Sequence, residues 1–433
     1  MKGMIGATLR KIMPCRTCVA ALSLLVFPAA VVAQRSFTWT ELRDKFEATN
    51  PTLRALQIGI DQSKAQEITA FMRPNPDFTE ATDGTQISRY QGVWRPFTGT
   101  QFSSSIGYLH ERQHKRELRR DSAQKATGIA LLSLQDQKRT LIFNLRSGFV
   151  NTLQAKAVLA LARENLVYYD KFLDVSRDRF KAGDIAQMDL DRLELTRAQY
   201  ESDVETSTVS LRTAKIQLLQ LLNDRTPIEQ FDVTGPFDFT EQILPNEEFR
   251  KVALETRPDL KSAIQSIDKA RTDHQLAYAN GSTDPTFAVW WTHNPSFNNP
   301  FDNNTLGASV SIPLRIHDRN QGEKLRTVLE IDRSEKLLDA NYALVFSDVD
   351  SAYATLMSNL TLLRSYKAQH LQRAVRVRDT VSFSYQHGGA SLLDFENAQN
   401  DYRSIQRNYL SLIGSYLTAA AQLNLAVGSE VIK

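Results

Sequence analysis

The chain contains itself twice. Pro51-Thr52-Leu53 lines up with Pro258-Asp259-Leu260, Ile60-Asp61 with Ile267-Asp268, and Lys64 with Arg271, all at an offset of 207. The same offset carries His110-Glu111-Arg112 onto His317-Asp318-Arg319 and Leu118 onto Leu325. Further on, at 205, Phe180 meets Tyr385, Gly183 meets Gly388, Asp189-Leu190-Asp191 meets Asp394-Phe395-Glu396, and Gln217-Leu218 meets Gln422-Leu423. Separated anchors that keep nearly one offset mean that any fold must hold two copies of one unit. The units are expected at 34–223 and 246–433. A linker at 224–245 lies between them, with Asp224, Pro227, Gly235-Pro236 and Pro245 as its turn chemistry.

Proline divides each unit. None occurs from Phe97 to Thr226, nor from Leu314 to Lys433, and both stretches are rich in Leu, Ala, Gln, Arg and Glu. The earlier part of each unit, where the prolines gather, shows period-two alternation. Phe102, Ser104, Ile106 and Tyr108 share one face; Leu306, Ala308, Val310, Ile312 and Leu314 share another; Phe287, Val289 and Trp291 make a third strand, and Phe78–Ser88 a weaker fourth. Strand hairpins are therefore expected near 77–110 and 285–314. One apolar and one small polar face suits a barrel wall as well as a half-buried hairpin. Trp94, Trp290 and Trp291 suit membrane-interface anchors or an ordinary core.

The proline-free stretches carry coiled-coil spacing. A strict seven-residue count gives Leu190, Arg197, Val204, Leu211, Leu218 with Leu193, Tyr200, Ser207, Ala214, Leu221. In the second unit it gives Phe395, Tyr402, Tyr409, Tyr416, Leu423 with Ala398, Ile405, Leu412, Ala419, Ala426. The preceding helices, about 112–181 and 319–386, would each span roughly 100 Å at 1.5 Å per residue. Each reverses at glycine, Gly183 or Gly388-Gly389, to complete hairpins at 112–223 and 319–428. No single compact domain needs rods of that length.

The N-terminus reads as an export signal. Lys2, Arg10, Lys11 and Arg16 precede an apolar run from Val19 to Val32, and Val31-Val32-Ala33 suits cleavage before Gln34. Residues 1–33 hold four bases and no acid. The full chain has 52 Lys+Arg and 49 Asp+Glu, so cleavage leaves 48 bases against 49 acids and no case for nucleic acid. Cys15 and Cys18 are the only cysteines; both fall in the leader, so neither a disulfide nor a lipid anchor is expected. No later run approaches about 20 apolar residues, so a membrane span would have to be made of strands.

The order and duplication of these pieces resemble the TolC-like outer-membrane efflux channels over essentially the whole chain after the leader. The matching stretches are Asn50-Pro51 and Arg257-Pro258-Asp259-Leu260, the passage Ile312-Pro313-Leu314 to Asn320-Gln321-Gly322, Phe180 to Ile185 with Asp189-Leu190, and Gly388 to Phe395. The first tip is worded most like the CzcC-like heavy-metal branch. The resemblance implies a mainly α fold with a β-barrel portion: strand hairpins plus long coiled-coil hairpins, assembled as a trimeric tunnel. It implies a homotrimer in outer-membrane lipid, a periplasmic adaptor (membrane fusion) protein, an inner-membrane pump of the RND type, and passive conduction without catalysis or cofactor. The adaptor would dock at the tips, Gly183-Asp184-Ile185 and Gly388-Gly389-Ala390. Asp394 falls on the family's first gating carboxylate, with Glu396 as a helper. The second gating position is Asn397, a departure that puts a double acidic ring in doubt. Apart from the resemblance, Asp394 and Asp189 are equally suited to favouring a helix N-terminus.

His110-Glu111-Arg112-Gln113-His114 matches H-E-x-x-H, a zinc-hydrolase pattern when it lies on one helix. Here it falls where a strand becomes a helix, and its copy replaces the second His with Gln321, so a polar collar is expected. The basic run Arg112–Arg120 suits lipid headgroups or neighbouring acids. A periplasmic coiled-coil adaptor is the competing reading, but it would have one helical hairpin and no whole-chain duplication.

Overall fold

The computed structural model describes residues 35–295 and 303–432. The expected leader, with both cysteines, lies outside them. The first half opens with a short strand β1 (Arg35–Phe37), then helices α1 (Trp39–Thr49) and α2 (Pro51–Phe71), strands β2 (Asp77–Asp83) and β3 (Gln101–Leu109), and the rods α3 (Lys115–Lys181) and α4 (Gln187–Leu221). A strand β4 (Phe231–Val233) follows within the expected linker. The second half repeats the order: α5 (Asn246–Thr256), α6 (Pro258–Asn280), β5 (Thr286–His293), β6 (Asn304–Ser311), α7 (Gln321–Ser365), a π turn at Tyr366–His370, α8 (Leu371–Gln386) and α9 (Leu392–Val427).

Local chemistry sets the boundaries. Thr38 and Glu41 form a capping box at α1. Asn50 caps α2, its Oδ1 accepting from the amides of Thr52 and Leu53, with Pro51 at the first helical position. The equivalent of Asn50 is Arg257, also ahead of a proline. Both side chains are buried, and both reach the returning rod. Asn50 Nδ2 donates to the Leu221 carbonyl at 3.2 Å, and Arg257 donates to the Ala426 carbonyl at 3.1 Å. The same position in each half therefore ties the start of a short helix to the otherwise unpaired carbonyls ending a long one.

The rods reverse where glycine supplies a left-handed residue: Gly183 has φ 86° and Gly388 φ 77°. The opposite ends are less ordinary. Gln113 and Asn320, equivalent at the offset of 207, have φ 58° and 63°, and His114 has φ 54°. Non-glycine residues rarely adopt this region, so both strand-to-rod passages share one strained turn. It also moves the start of the first rod from the expected 112 to Lys115.

Buried apolar side chains fall into separate clusters along the rods. One joins β1, β4 and α1 to the middle of α3 and the end of α4. Another joins α5 and α7 to α9. A third lies towards the tips, where Phe172 stacks on Phe395 at 3.8 Å between centroids, and Tyr169 on Tyr200 at 4.5 Å. The tip cluster spans both halves. The heptads of α9 are the better filled: Phe395, Tyr402, Tyr416, Leu423, Ala398, Ala419 and Ala426 are buried. In α4 the seam holds Leu190, Leu193, Tyr200, Ser207 and Leu218, while Arg197 turns outward to Asp170 at 2.6 Å.

Two features depart from the sequence expectations. The stretch 224–245 is no plain linker, because β4 pairs in parallel with β1 and Phe231, Asp232 and Val233 are buried. The second rod is not one continuous α-helix, since the π turn separates α7 from α8.

Candidate functional site

The larger sheet has strand order β2-β3-β5-β6, antiparallel throughout. Its register sorts the side chains. Phe78, Phe102, Ile106, Phe287, Val289, Trp291, Leu306 and Val310 share one face, all exposed. The other face carries Thr79, Ser103, Ser105, Thr286, Thr292, Thr305, Ser309 and Ser311. One face is fit for lipid and the other for water. Successive strand residues point to opposite faces. Trp291, 44% exposed, accordingly belongs to the apolar face, whereas Trp290 belongs to the polar face, where it lies over Gly307. The pair therefore does not act as two adjacent lipid anchors. Trp94, 49% exposed, lies in the β2–β3 connection. Glu80 is the one acid on the apolar face among the described strand residues; it accepts from the Ser104 hydroxyl at 2.7 Å.

The helices beneath repeat the strand order. α2 packs on α3, α3 on α6, and α6 on α7. Both rows stop at unpartnered edges. On α2, Ile58 and Ile68 are exposed, as is Met72 just past its end; on α7, Leu325, Val328, Leu329, Leu337 and Leu344 are. α4 shows a further exposed stripe, Met188, Leu195, Val209 and Ile216, at heptad spacing and distinct from its buried seam. Sequence reasoning found the seam and missed this stripe, although the same seven-residue count would have found it.

At the tips, Asp394 is the N3 residue of a capping box on α9. Its carboxylate accepts from the Ser391 hydroxyl at 2.7 Å and the Ser391 amide at 3.2 Å. Those bonds hold its pKa below the ordinary carboxylate value. The helix-start role open at the sequence level is thus realised, and the fully exposed carboxylate keeps an outward face. Glu396 accepts from Thr196 on α4 at 2.9 Å, linking the hairpins, and Asn397 is exposed. Gly183, Asp184 and Gly388-Gly389 form the two exposed reversals, with Ile185 and Ala390 packed against the tip cluster.

The H-E-x-x-H segment straddles the strained turn. Glu111 is clasped by Arg119 at 2.5 and 2.7 Å. His110 follows β3, and His114 precedes α3, so the two imidazoles do not share a helix face. No cluster of three metal-ligating side chains occurs among the described residues. α9 is, among those residues, the one helix long and apolar enough to cross a membrane. Half of its most apolar window is buried, as befits the central strand of a coiled coil.

A sheet with one lipid-compatible face, hung on paired helical hairpins, defines a class: strand-and-rod subunits of membrane ducts. The outer membrane efflux protein family matches residues 250–429. The cobalt-zinc-cadmium resistance protein CzcC of Cupriavidus metallidurans is 22% identical over 88% of this chain and 87% of its own length. Outer membrane protein TolC of Escherichia coli is 21% identical over 71% of this chain and 65% of its own length. A crystal structure of CusC superposes with a TM-score of 0.77 at 16% identity, covering 90% of this chain and 92% of that one. The chain resembles the outer membrane efflux proteins, by the family match over residues 250–429 and by likeness over most of its length. It is an efflux channel of the outer membrane extending into the periplasm, not a soluble adaptor.

Proposed function

We propose that three copies close into one passive duct, each giving four strands to a shared barrel and two hairpins to a periplasmic tunnel. The observation that carries this reading is the pair of open edges. β2 and β6 end the strand row, and α2 and α7 end the helix row directly beneath. All four edges are exposed, and the helix edges are apolar. An unpaired strand edge in lipid would leave backbone groups without hydrogen bonds, each costing several kcal/mol. β2 and β6 run in opposite directions, so β6 of one copy can continue the antiparallel sheet onto β2 of the next. The exposed heptad stripe of α4 then meets a neighbouring rod. The two halves, 34–223 and 246–433, act as near-equivalent staves joined by 224–245.

In this reading an inner-membrane pump of the RND type and a periplasmic adaptor deliver the cargo. The adaptor engages the tips at Gly183-Asp184-Ile185 and Gly388-Gly389-Ala390. The similarity to CzcC over most of the chain supports metal cations as cargo. Three Asp394 carboxylates narrow the periplasmic end, with Glu396 behind them and Asn397 one turn on. Like charges drawn together raise one another's pKa values and favour cations, against the lowering by Ser391. In a reconstituted channel, Asp394→Ala is expected to raise conductance and weaken block by divalent cations. Unchanged values of both would remove Asp394 from the constriction. Recovery of the mature protein as a soluble periplasmic monomer would overturn the duct itself.

A further inference from the structure

A cavity of about 260 Å³ lies where α1, the middle of α3 and the end of α9 meet, away from the sheet and the tips. Its walls are firmly built. Arg139 donates to the Leu425 carbonyl at the end of α9, and Asn424 Oδ1 accepts from the amides of Val431 and Ile432 at 2.9 Å each. Trp39, Ile142, Phe143 and Leu425 give the pocket an apolar lining.

Four cations also line it, and three are matched. Arg43 meets Glu430 at 3.3 Å, Lys138 meets Glu47 at 2.7 Å, and Arg139 meets Asp136 at 2.7 Å and Asp259 at 3.3 Å. Arg146 is the exception: among the described residues it has neither an ion pair nor a hydrogen bond. Its guanidinium lies 4.5 Å from the Trp39 ring centroid and 5.8 Å from that of Phe149. Burial disfavours its charge and lowers its pKa from the usual guanidinium value, against a smaller opposing influence of Glu430. Stacking uses the face of a guanidinium and leaves its N–H edge free, and that fork matches a carboxylate. The cavity therefore presents a donor edge beside an aromatic floor, while its own carboxylates, Glu47 and Glu430, are engaged by Lys138 and Arg43. A cation is disfavoured by the surrounding positive groups, and a purely apolar guest would leave the Arg146 donors unmet.

We propose that this cavity binds a small aromatic carboxylate, its acid group on the Arg146 edge and its ring against Trp39 and Phe143. The site is independent of the trimer reading, since one chain supplies every wall.

The test uses the purified full-length protein in detergent with 4-fluorobenzoate as probe, followed by fluorine NMR with micelles alone subtracted. 4-Fluorobenzamide, of the same shape without the charge, is the comparison. The acid is expected to bind at least about tenfold more tightly than the amide, as a charge-assisted pair requires. Benzoate should displace it and acetate should do so poorly. Arg146→Gln should weaken binding by about tenfold or more, whereas Arg146→Lys should keep the preference for acid over amide. Equal binding of acid and amide, or wild-type affinity in Arg146→Gln, would overturn the proposal, and acetate matching benzoate would overturn its aromatic part. Should Arg146→Gln fail to fold, the acid-to-amide ratio and Arg146→Lys decide it.

Discussion

Asp224, at the foot of the first rod pair, shows how single residues hold this elongated chain together. Burial alone would raise its pKa, but Lys45 and the hydroxyl and amide of Thr226 hold it down to about 2. A carboxyl depressed in the fold stabilises fully above its ordinary unfolded value and loses that contribution as pH falls through the folded value. Asp224→Asn is therefore expected to lower Tm at pH 7, with the gap to wild type closing between about pH 4 and about pH 2. Thermal melts across that window check it; a gap of constant size would mean the charge is not involved. Asp232 follows the same logic, with burial opposed by Lys156 and Lys215. None of these pairs was legible beforehand, because Lys45 and Asp224 are far apart in sequence and only packing of α1 on the first rod brings them together. Asn50 and Arg257 were visible as equivalent positions, but their shared reach to the returning rods was not, since one is an amide and the other a guanidinium. Trp290 and Trp291 teach the reverse. The alternation rule already assigns them to opposite faces, and reading them as a pair neglected it.

At the level of elements, legibility followed period and length. The rods and the seam of α9 were readable because five heptads repeat without interruption. β3, β5 and β6 were readable from alternation, while β2 was weak because Asp77, Glu80 and Asp83 dilute it and all of its residues are exposed. The β1–β4 pair escaped because three-residue strands carry no period. The π turn escaped because Tyr366-Lys367-Ala368-Gln369-His370 is acceptable α-helical sequence; only the wider i→i+5 bonding distinguishes it. Such a turn holds one residue more than an α turn. Below it, α8 places Tyr385 against Phe395 at 5.4 Å and against Phe172 at 5.7 Å. Deleting Ala368 should restore a continuous helix that keeps α8 facing α9, because the π turn takes up its extra residue without added rotation. The expected result is unchanged helix content by circular dichroism and wild-type protease resistance between residues 386 and 391. Phe172→Ala, by contrast, should loosen the tip at a cost of about 3–5 kcal/mol. Faster proteolysis in the deletion would show that the π turn sets a facing that an α turn cannot.

For the whole molecule, one chain is a stave rather than a vessel, and its unfinished edges say what completes it. Heptad and alternation patterns reveal that a side chain is apolar, not which chain covers it, so the duplication was legible while the division between inner and outer contacts was not. Exposure now divides them. Ile60 on α2 is 1% exposed, whereas Ile68 on the same helix is 64% exposed; Leu329 on α7 is 58% exposed. Removing either exposed residue takes nothing from the fold of a lone chain, because substitutions at such positions generally change stability by no more than about 0.5 kcal/mol. If α7 of one copy closes on α2 of the next, a carboxylate at either place buries an unpaired charge at each of three contacts. Ile68→Glu and Leu329→Glu should therefore convert trimer to monomer in native mass spectrometry, with helix content retained. Gln66→Glu adds the same charge to α2 on a different face and should leave the trimer intact. Three-copy assembly by both edge variants would mean that the copies meet elsewhere, and assembly lost equally in Gln66→Glu would mean that added charge, not the edge, is responsible.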